Sequence, residues 1–412
     1  MAEALEVVVI GAGIVGLSSA YQLARRGVSR ILVLEKGDGL GEGSTGASSA
    51  VCRFKYTRPE LVQLARDGIG AYQQWSEFLE LRDPVARFQR CGVLWIDDVP
   101  EHAEADAERM GRLGIATSVL DDAALAERFP AINPCTVPPD LVSGEAHECR
   151  GGGQHLFEED GGYMEPTDAL QDLLTAVRGR GIEVRFRSPV LRIDVAGGRV
   201  SGVTLADGTQ LPCAAVVNAS GPWCNALLAP LGLEQRWPLV PTRIQIAQVN
   251  VPEDMRGAMP VVADLVSGIY FRPQGQQKHI IVGSVLAEDE EEAVADPDAL
   301  DRTADDGFVR AKLHALQHRI PALSRMTGVC GYSGLYTMNR ADVHPVVGAT
   351  PITGFFVANG CSGHGFKLAP AIGSIVAQAI TGLRLDDDSL VDPDFLSFAR
   401  QPISLPRHGV LA

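Results

Sequence analysis

The sequence is poor in positive charge: 36 Lys and Arg face 51 Asp and Glu, a formal net charge of −15 over 412 residues. That balance does not suit a phosphate backbone or an anionic membrane surface, so nucleic acid is not an expected partner. Long apolar runs are also missing. The apolar stretch 7–20 carries Gly11, Gly13 and Gly16 and is too short to cross a bilayer, so no membrane insertion is expected. The start, Met1 to Glu6, lacks the basic region of a secretory signal, and the end, Gly409 to Ala412, is no peroxisomal or retention address. None of the eight cysteines forms Cys-x-x-Cys, which leaves a zinc knuckle or redox pair without support. Free thiols and a cytoplasmic location are the expectation. Gly-x-Ser-x-Gly does not occur, so a hydrolase nucleophile elbow is not expected, and no internal repeat is visible.

What is present is globular composition, 46% hydrophobic and 21% charged. The length exceeds what one core usually supports and predicts two domains sharing an interface. Residues 7–10 are a β-branched run, the pattern of a buried parallel strand. A glycine turn follows, then a helix over 17–26 stopped at Gly27, then a second strand over 31–34, which together make a right-handed βαβ unit. Helices over 61–79 and 101–113 flank a strand at 92–96. A helix over 167–180 leads into strands at 183–187, 190–195, 199–205, 210–211 and 214–218. Alternation from 234 to 327 predicts an antiparallel sheet. Inside it, residues 288–306 hold ten acids and one base and read as a solvated loop. A strand at 355–358 and a helix at 370–380 complete the pattern.

Gly11, Gly13 and Gly16 form Gly-x-Gly-x-x-Gly directly after a strand and at the opening of a helix. The first glycine allows the tight turn, the second lets the backbone approach a pyrophosphate, and the third lets helix and strand pack closely. Ile14 and Val15 lie inside the motif. Glu35, 19 residues after Gly16 and followed by Lys36, ends the second strand, where a carboxylate accepts from ribose hydroxyls and repels a 2′-phosphate. The arrangement reads as a dinucleotide site rather than a plain packing turn. Gly41 to Gly46 matches the same pattern but follows a turn, so it reads as a loop, and nothing supports a separate nicotinamide site. Two further turns bear on a bound cofactor, the first as a turn that could press against it or as an ordinary strand-to-helix turn, the second as a backbone lining something flat or anionic. One is 217–223, with Ala219, Gly221 and Trp223 beside Pro222. The other is 359–367, with three glycines in six residues before a helix.

With these motifs the chain resembles the D-amino-acid-oxidase-like flavoproteins, and most closely their sarcosine-oxidase-like branch. The likeness covers nearly the whole chain and is most specific at Ser362-Gly363-His364-Gly365-Phe366-Lys367. It implies an α/β fold in which a Rossmann-like FAD-binding domain is interleaved with an α+β substrate domain built on a mixed or antiparallel sheet. The FAD-binding pieces are expected at 1–57, 150–230 and 328–390, the substrate pieces at 58–149 and 231–327, and a tail at 391–412. FAD would be held by Gly11, Gly13, Gly16 and Glu35 at its adenosine and pyrophosphate. Ser44, Thr45, Ser48 and Ser49 would run along the pyrophosphate and flavin, Val190 would face the adenine, and Gly363, His364, Gly365 and Phe366 the flavin pyrimidine. Arg53 and Lys367 fall on the positions that clamp the substrate carboxylate, and Tyr336 on that of an active-site tyrosine. The implied reaction oxidises the C–N bond of an amino acid or N-substituted amino acid. Hydride passes to flavin, an imine is left to hydrolyse, and oxygen, giving hydrogen peroxide, or another acceptor takes the electrons. The alternatives are a 2-hydroxy-acid dehydrogenase on the same fold and a non-catalytic FAD-binding assembly factor.

Three departures stand out. The position of the family's flavin-tethering cysteine is Gly334, with Cys330 out of place, so non-covalent FAD is expected. The position of the oxygen-activating lysine falls near Ile281, with Lys278 out of register, and that of an active-site histidine near Val285. Elsewhere, Trp75, Trp95, Trp223 and Trp237 read as core, although Trp223 also sits in a cofactor-side turn. His314 and His318 are four apart on a helix with no third ligand apparent, so no metal site is expected.

Overall fold

The computed structural model describes residues 5–140, 148–255, 257, 259–323 and 325–404. The strand Leu5–Ile10 lies at the centre of a first sheet, which is why its apolar run does not alternate. Val7 and Val9 enter one core while Val8 and Ile10 enter another on the opposite face. It pairs in parallel with Ile31–Leu34 on one side and Gln210–Asn218 on the other. Glu183–Arg185 and Phe355–Asn359 extend the parallel order, and Val346–Ala349 closes one edge antiparallel. The helices Ile14–Arg25, Pro166–Gly179 and Gly365–Thr381 share the core on one face.

Several elements differ from their expected bounds. Residues 210–211 and 214–218 form one strand, Gln210–Asn218, whose first half pairs antiparallel with Arg199–Leu205 and whose second half pairs parallel with Leu5–Ile10. One strand serving two partners has no local signature. The first helix starts at Ile14, because extended Gly13 caps it and the Ile14 amide donates to Thr45 Oγ1 at 3.2 Å. The last helix starts at Gly365, with Pro370 inside it. Pro370 offers no N–H to the Phe366 carbonyl, which accepts instead from Tyr72 Oη at 2.7 Å.

The second sheet runs Cys330–Asn339, Leu239–Asn250, His279–Ser284, Ile269–Gln274, Val261–Asp264, Val93–Ile96, Gln154–Glu158, Thr117–Asp121. Its neighbours are antiparallel except Val261–Asp264 with Val93–Ile96. Two of its strands, 154–158 and 330–339, were expected among the nucleotide-side pieces that begin at 150 and 328. Both belong instead to the second sheet, through pairings with partners far away in sequence. Of the expected tail, 391–404 is described and packs back through Leu396 and Phe398, while 405–412 lies outside the described residues. Among the described residues no helix is long and apolar enough to cross a membrane.

Candidate active site

Two glycines set the floor of a long cleft. Gly11 has φ +104°, and a Cβ there would stand 2.6 Å from the Ala219 carbonyl oxygen. A Cβ on Gly16 would fall 1.9 Å from the Gly11 carbonyl oxygen, so helix and turn touch only because both side chains are absent. The Glu35 carboxylate accepts from the Ala12 amide at 2.9 Å and the Gly37 amide at 2.8 Å, which fixes it at the cleft. The cleft is about 480 Å³. Of the residues expected at a cofactor, Gly11, Gly13, Ile14, Val15, Glu35, Lys36, Ser44, Thr45 and Ser48 line it. So do Val190, Ala219, Gly221, Trp223, Gly363, Gly365 and Phe366.

Four of the expected residues stand elsewhere. Gly16 lies behind the turn and acts through packing. Ser49 and Lys367 line a second, smaller pocket. His364 is fully buried, with its ring edge-on to Tyr56 at 5.2 Å, and lines neither cavity; only its backbone, capping the last helix, stays near the cleft.

The smaller pocket, about 60 Å³, opens beside the far end of the cleft, and Ser48, Tyr336, Gly363 and Phe366 line both. Its polar groups include Arg53, Lys367, Tyr270 and Tyr336 beside Ser48 and Ser49, and its apolar wall includes Val93, Trp95, Val261, Ala263 and Val285. Arg53 and Lys367 are each 5% exposed. Burial, helped by the Arg53 charge, brings the Lys367 ammonium down to about 7. Burial holds the Tyr336 hydroxyl well above its ordinary range, so it stays protonated, and Tyr270 beside it adds to the shift.

The pocket is braced from behind. The Arg53 guanidinium lies 4.3 Å over the Tyr56 ring and 5.5 Å from the Trp95 ring, and it donates to the Lys55 carbonyl. Glu158 is fully buried and accepts from the Phe54 amide at 2.6 Å, the Lys55 amide at 3.0 Å and Trp95 Nε1 at 2.8 Å. The Lys367 backbone is held by Pro59–Gln73: a Cβ on Gly68 would fall 2.2 Å from its carbonyl oxygen, and Tyr72 stacks on Phe366 at 5.0 Å.

Sequence reasoning missed several of these residues. Glu158, Tyr270 and Gly68 carry no motif. Trp95 was read as core; it is buried, yet it also walls the pocket. Trp75 and Trp237 are core, whereas Trp223 is half-buried on the cleft. The acidic segment 288–306 is more than a solvated loop. Asp298, Leu300 and Arg302 border the cleft, Asp298 pairs with Lys36 and accepts from Trp223 Nε1 at 2.9 Å, and Arg302 donates to the Glu42 carbonyl at 2.8 Å. Ten acids within nineteen residues hid one cation that matters. Cys361 also borders the cleft, while Cys330 and Ile281 do not, and Gly334 packs on Ala47.

The family profile described as FAD dependent oxidoreductase matches residues 6–379. The chain belongs to this DAO family of FAD-dependent oxidoreductases. The oxidoreductase is 29% identical to the FAD-dependent oxidoreductase domain-containing protein 1 of Bos taurus, over 92% of this chain and 81% of that one. It is 26% identical to the monomeric sarcosine oxidase of Streptomyces avermitilis, over 97% of this chain and 100% of that one. Its fold is that of the L-proline dehydrogenase of P. horikoshii, with a TM-score of 0.80, 23% identity and coverage of 97% and 98%. The cleft suits FAD on its own terms. Among the described residues, two buried polar atoms of cleft-lining residues have no partner inside the protein, Ser44 Oγ and Asn359 Nδ2, and a diphosphate and a flavin carbonyl are what such groups take.

Proposed function

We propose that the enzyme oxidises the C–N bond of a small amino acid or N-alkyl amino acid, with FAD bound non-covalently. One observation carries the reading: two buried cations, Arg53 and Lys367, share a pocket of about 60 Å³ that meets the cleft. Two cations held out of water favour an anion, and a carboxylate matches both the planar fork of Arg53 and the point charge of Lys367.

In this reading Gly11, Gly13, Ser44, Thr45 and the amides at the first helix N-terminus hold the diphosphate, and Glu35 takes the ribose. Gly363, Gly365, Phe366 and Asn359 line the flavin end. Bound FAD supplies the acceptor for two electrons and a hydrogen. The protein's part is orientation: the carboxylate is pinned, the amine and its carbon are aimed at the cleft, and the apolar wall excludes water from them. Protonated Tyr336, on both cavities, donates to a lone pair of the substrate. Cys361 is the thiol on the cleft, and burial raises it to about 12, so it stays protonated and unreactive, which supports non-covalent FAD. All flavin should therefore leave the protein on acid precipitation; yellow pellets would overturn this.

The deciding experiment is anaerobic flavin absorbance of the purified protein, titrated with carboxylate-bearing amines and 2-hydroxy acids and then opened to air. Bleaching by a small amine is expected, and the rate of recovery in air measures reactivity with oxygen. Bleaching by hydroxy acids alone would replace the amine reading, and bleaching by neither would favour a non-catalytic FAD-binding protein.

A further inference from the structure

Away from the flavin cleft, three soft-metal ligands converge. Cys135, Cys149 and His318 offer one ligand atom each, and these atoms lie within 4.8 Å of one another. His318 sits in the last turn of the helix Asp306–Arg319, whereas the cysteines lie on non-helical chain 14 residues apart. The sequence showed only the His314–His318 pair; folding supplies His318 with two sulfurs instead.

The surroundings are built around these groups. Asn133 ties its segment to the end of that helix: its amide donates to the Arg319 carbonyl at 2.8 Å, and its side chain donates to the His318 carbonyl at 3.1 Å. The same Nδ2 lies 3.4 Å from Cys149 Sγ, and the Val137 amide lies 3.4 Å from Cys135 Sγ, so each sulfur receives an N–H. Cys135 Sγ also reaches the Val137 carbonyl at 3.6 Å, as a protonated thiol does. Arg319, fully buried on Asp264 at 2.8 Å, grips the Cys135 carbonyl at 3.0 Å and fixes that cysteine against the helix. N–H donors aimed at sulfur stabilise thiolates, as they do around ligated cysteines.

The geometry points to a Cys2His zinc site at Cys135, Cys149 and His318. Tetrahedral zinc, with bonds of about 2.3 Å to sulfur and about 2.0 Å to nitrogen, sets its ligand atoms about 3.5–3.8 Å apart. Side-chain rotation of exposed Cys149 and half-buried His318 closes the remaining gap. Each thiol gives up its proton to solvent on binding, so Zn²⁺ with two thiolates and a neutral imidazole is uncharged. Water takes the fourth position. The site staples the chain at Cys135 and Cys149 to the helix Asp306–Arg319, away from both cavities.

The test is metal binding to the full-length, FAD-loaded protein kept under a non-thiol reductant. Co²⁺ is the probe, because its ligand-field bands in the red lie clear of flavin absorption. We expect one equivalent of Co²⁺ to give thiolate-type bands that one equivalent of Zn²⁺ abolishes. Cys149→Ser and His318→Gln should each weaken both metals at least about tenfold, with flavin content unchanged. Zinc should raise the Tm of the wild type and not of Cys149→Ser, a comparison that stands even if a substitution at buried Cys135 fails to fold. Overturning results are cobalt spectra without thiolate bands, metal affinity equal in wild type and both variants, or a Cys135–Cys149 disulfide that on reduction still yields no metal site.

Discussion

Arg53 and Lys367 line one pocket of about 60 Å³ at 5% exposure each, and burial together with the guanidinium's charge takes the lysine down to about 7. Two like charges so placed destabilise the empty pocket and prepare it for an anion. Replacing Lys367 with Ala should raise KM about 10- to 100-fold, the range of one charge-assisted hydrogen bond, and leave FAD content intact. Steady-state kinetics with flavin absorbance per chain checks both halves, and an unchanged KM would remove Lys367 from the clamp.

The same lysine sets a pH dependence. Its folded value of about 7 lies below its ordinary 10.5, so between these values the empty protein holds one proton fewer there than the unfolded chain. Stability of the ligand-free protein therefore gains from this group as pH rises through that window. Carboxylate binding runs the other way: it draws a proton onto Lys367, so affinity for a simple carboxylate inhibitor should fall as pH rises above about 7. Isothermal titration in buffers of different ionisation enthalpy should show proton uptake at pH 8 to 9, and Lys367→Met should abolish it.

Gly68 touches neither cavity, yet a Cβ there would fall 2.2 Å from the Lys367 carbonyl oxygen. Gly68→Ala should cost about 1–3 kcal/mol of stability and displace the end of the clamp. Chemical denaturation and KM should move together, and a variant with wild-type values of both would refute the contact.

Arg302 and Lys36 are the cations that line the cleft, and Lys36 is already paired with Asp298. Arg302→Ala should therefore weaken FAD about five- to tenfold and reduce the salt dependence of binding. Asp298→Ala, at an exposed pair, should change affinity by less than about 0.5 kcal/mol. Fluorescence titration of the apoprotein with FAD separates the two.

On the proposed reading, the pocket's apolar wall sets substrate size. Val285→Ala should shift the kcat/KM ratio toward amines with a larger N-alkyl group or side chain by about tenfold, one or two methylenes' worth of discrimination. Equal ratios would place the substrate's apolar part elsewhere.

Local sequence was enough for whatever depends on near neighbours. Strand, glycine turn, helix and Glu35 lie within 31 residues, and their turn is set by backbone geometry that glycine alone permits, so the glycine-lined end of the cleft was legible. So were Arg53, Tyr336 and Lys367, through motif resemblance. Folding decided the rest, because the partners are far apart in sequence. Glu158 meets residues 54 and 55 a hundred positions away, Gly68 meets Lys367 across three hundred, and Asp298 and Arg302 come back over the cleft from an acidic segment whose composition alone says solvent. Cys330–Asn339, inside a block expected on the nucleotide side, joins the second sheet for the same reason, through its pairing with Leu239–Asn250. His364 shows the converse. The motif named it, but the cap of the last helix turns its ring onto Tyr56 and out of the cleft. Sequence fixes which groups are available; burial and distance, which only the tertiary structure sets, decide which of them meet.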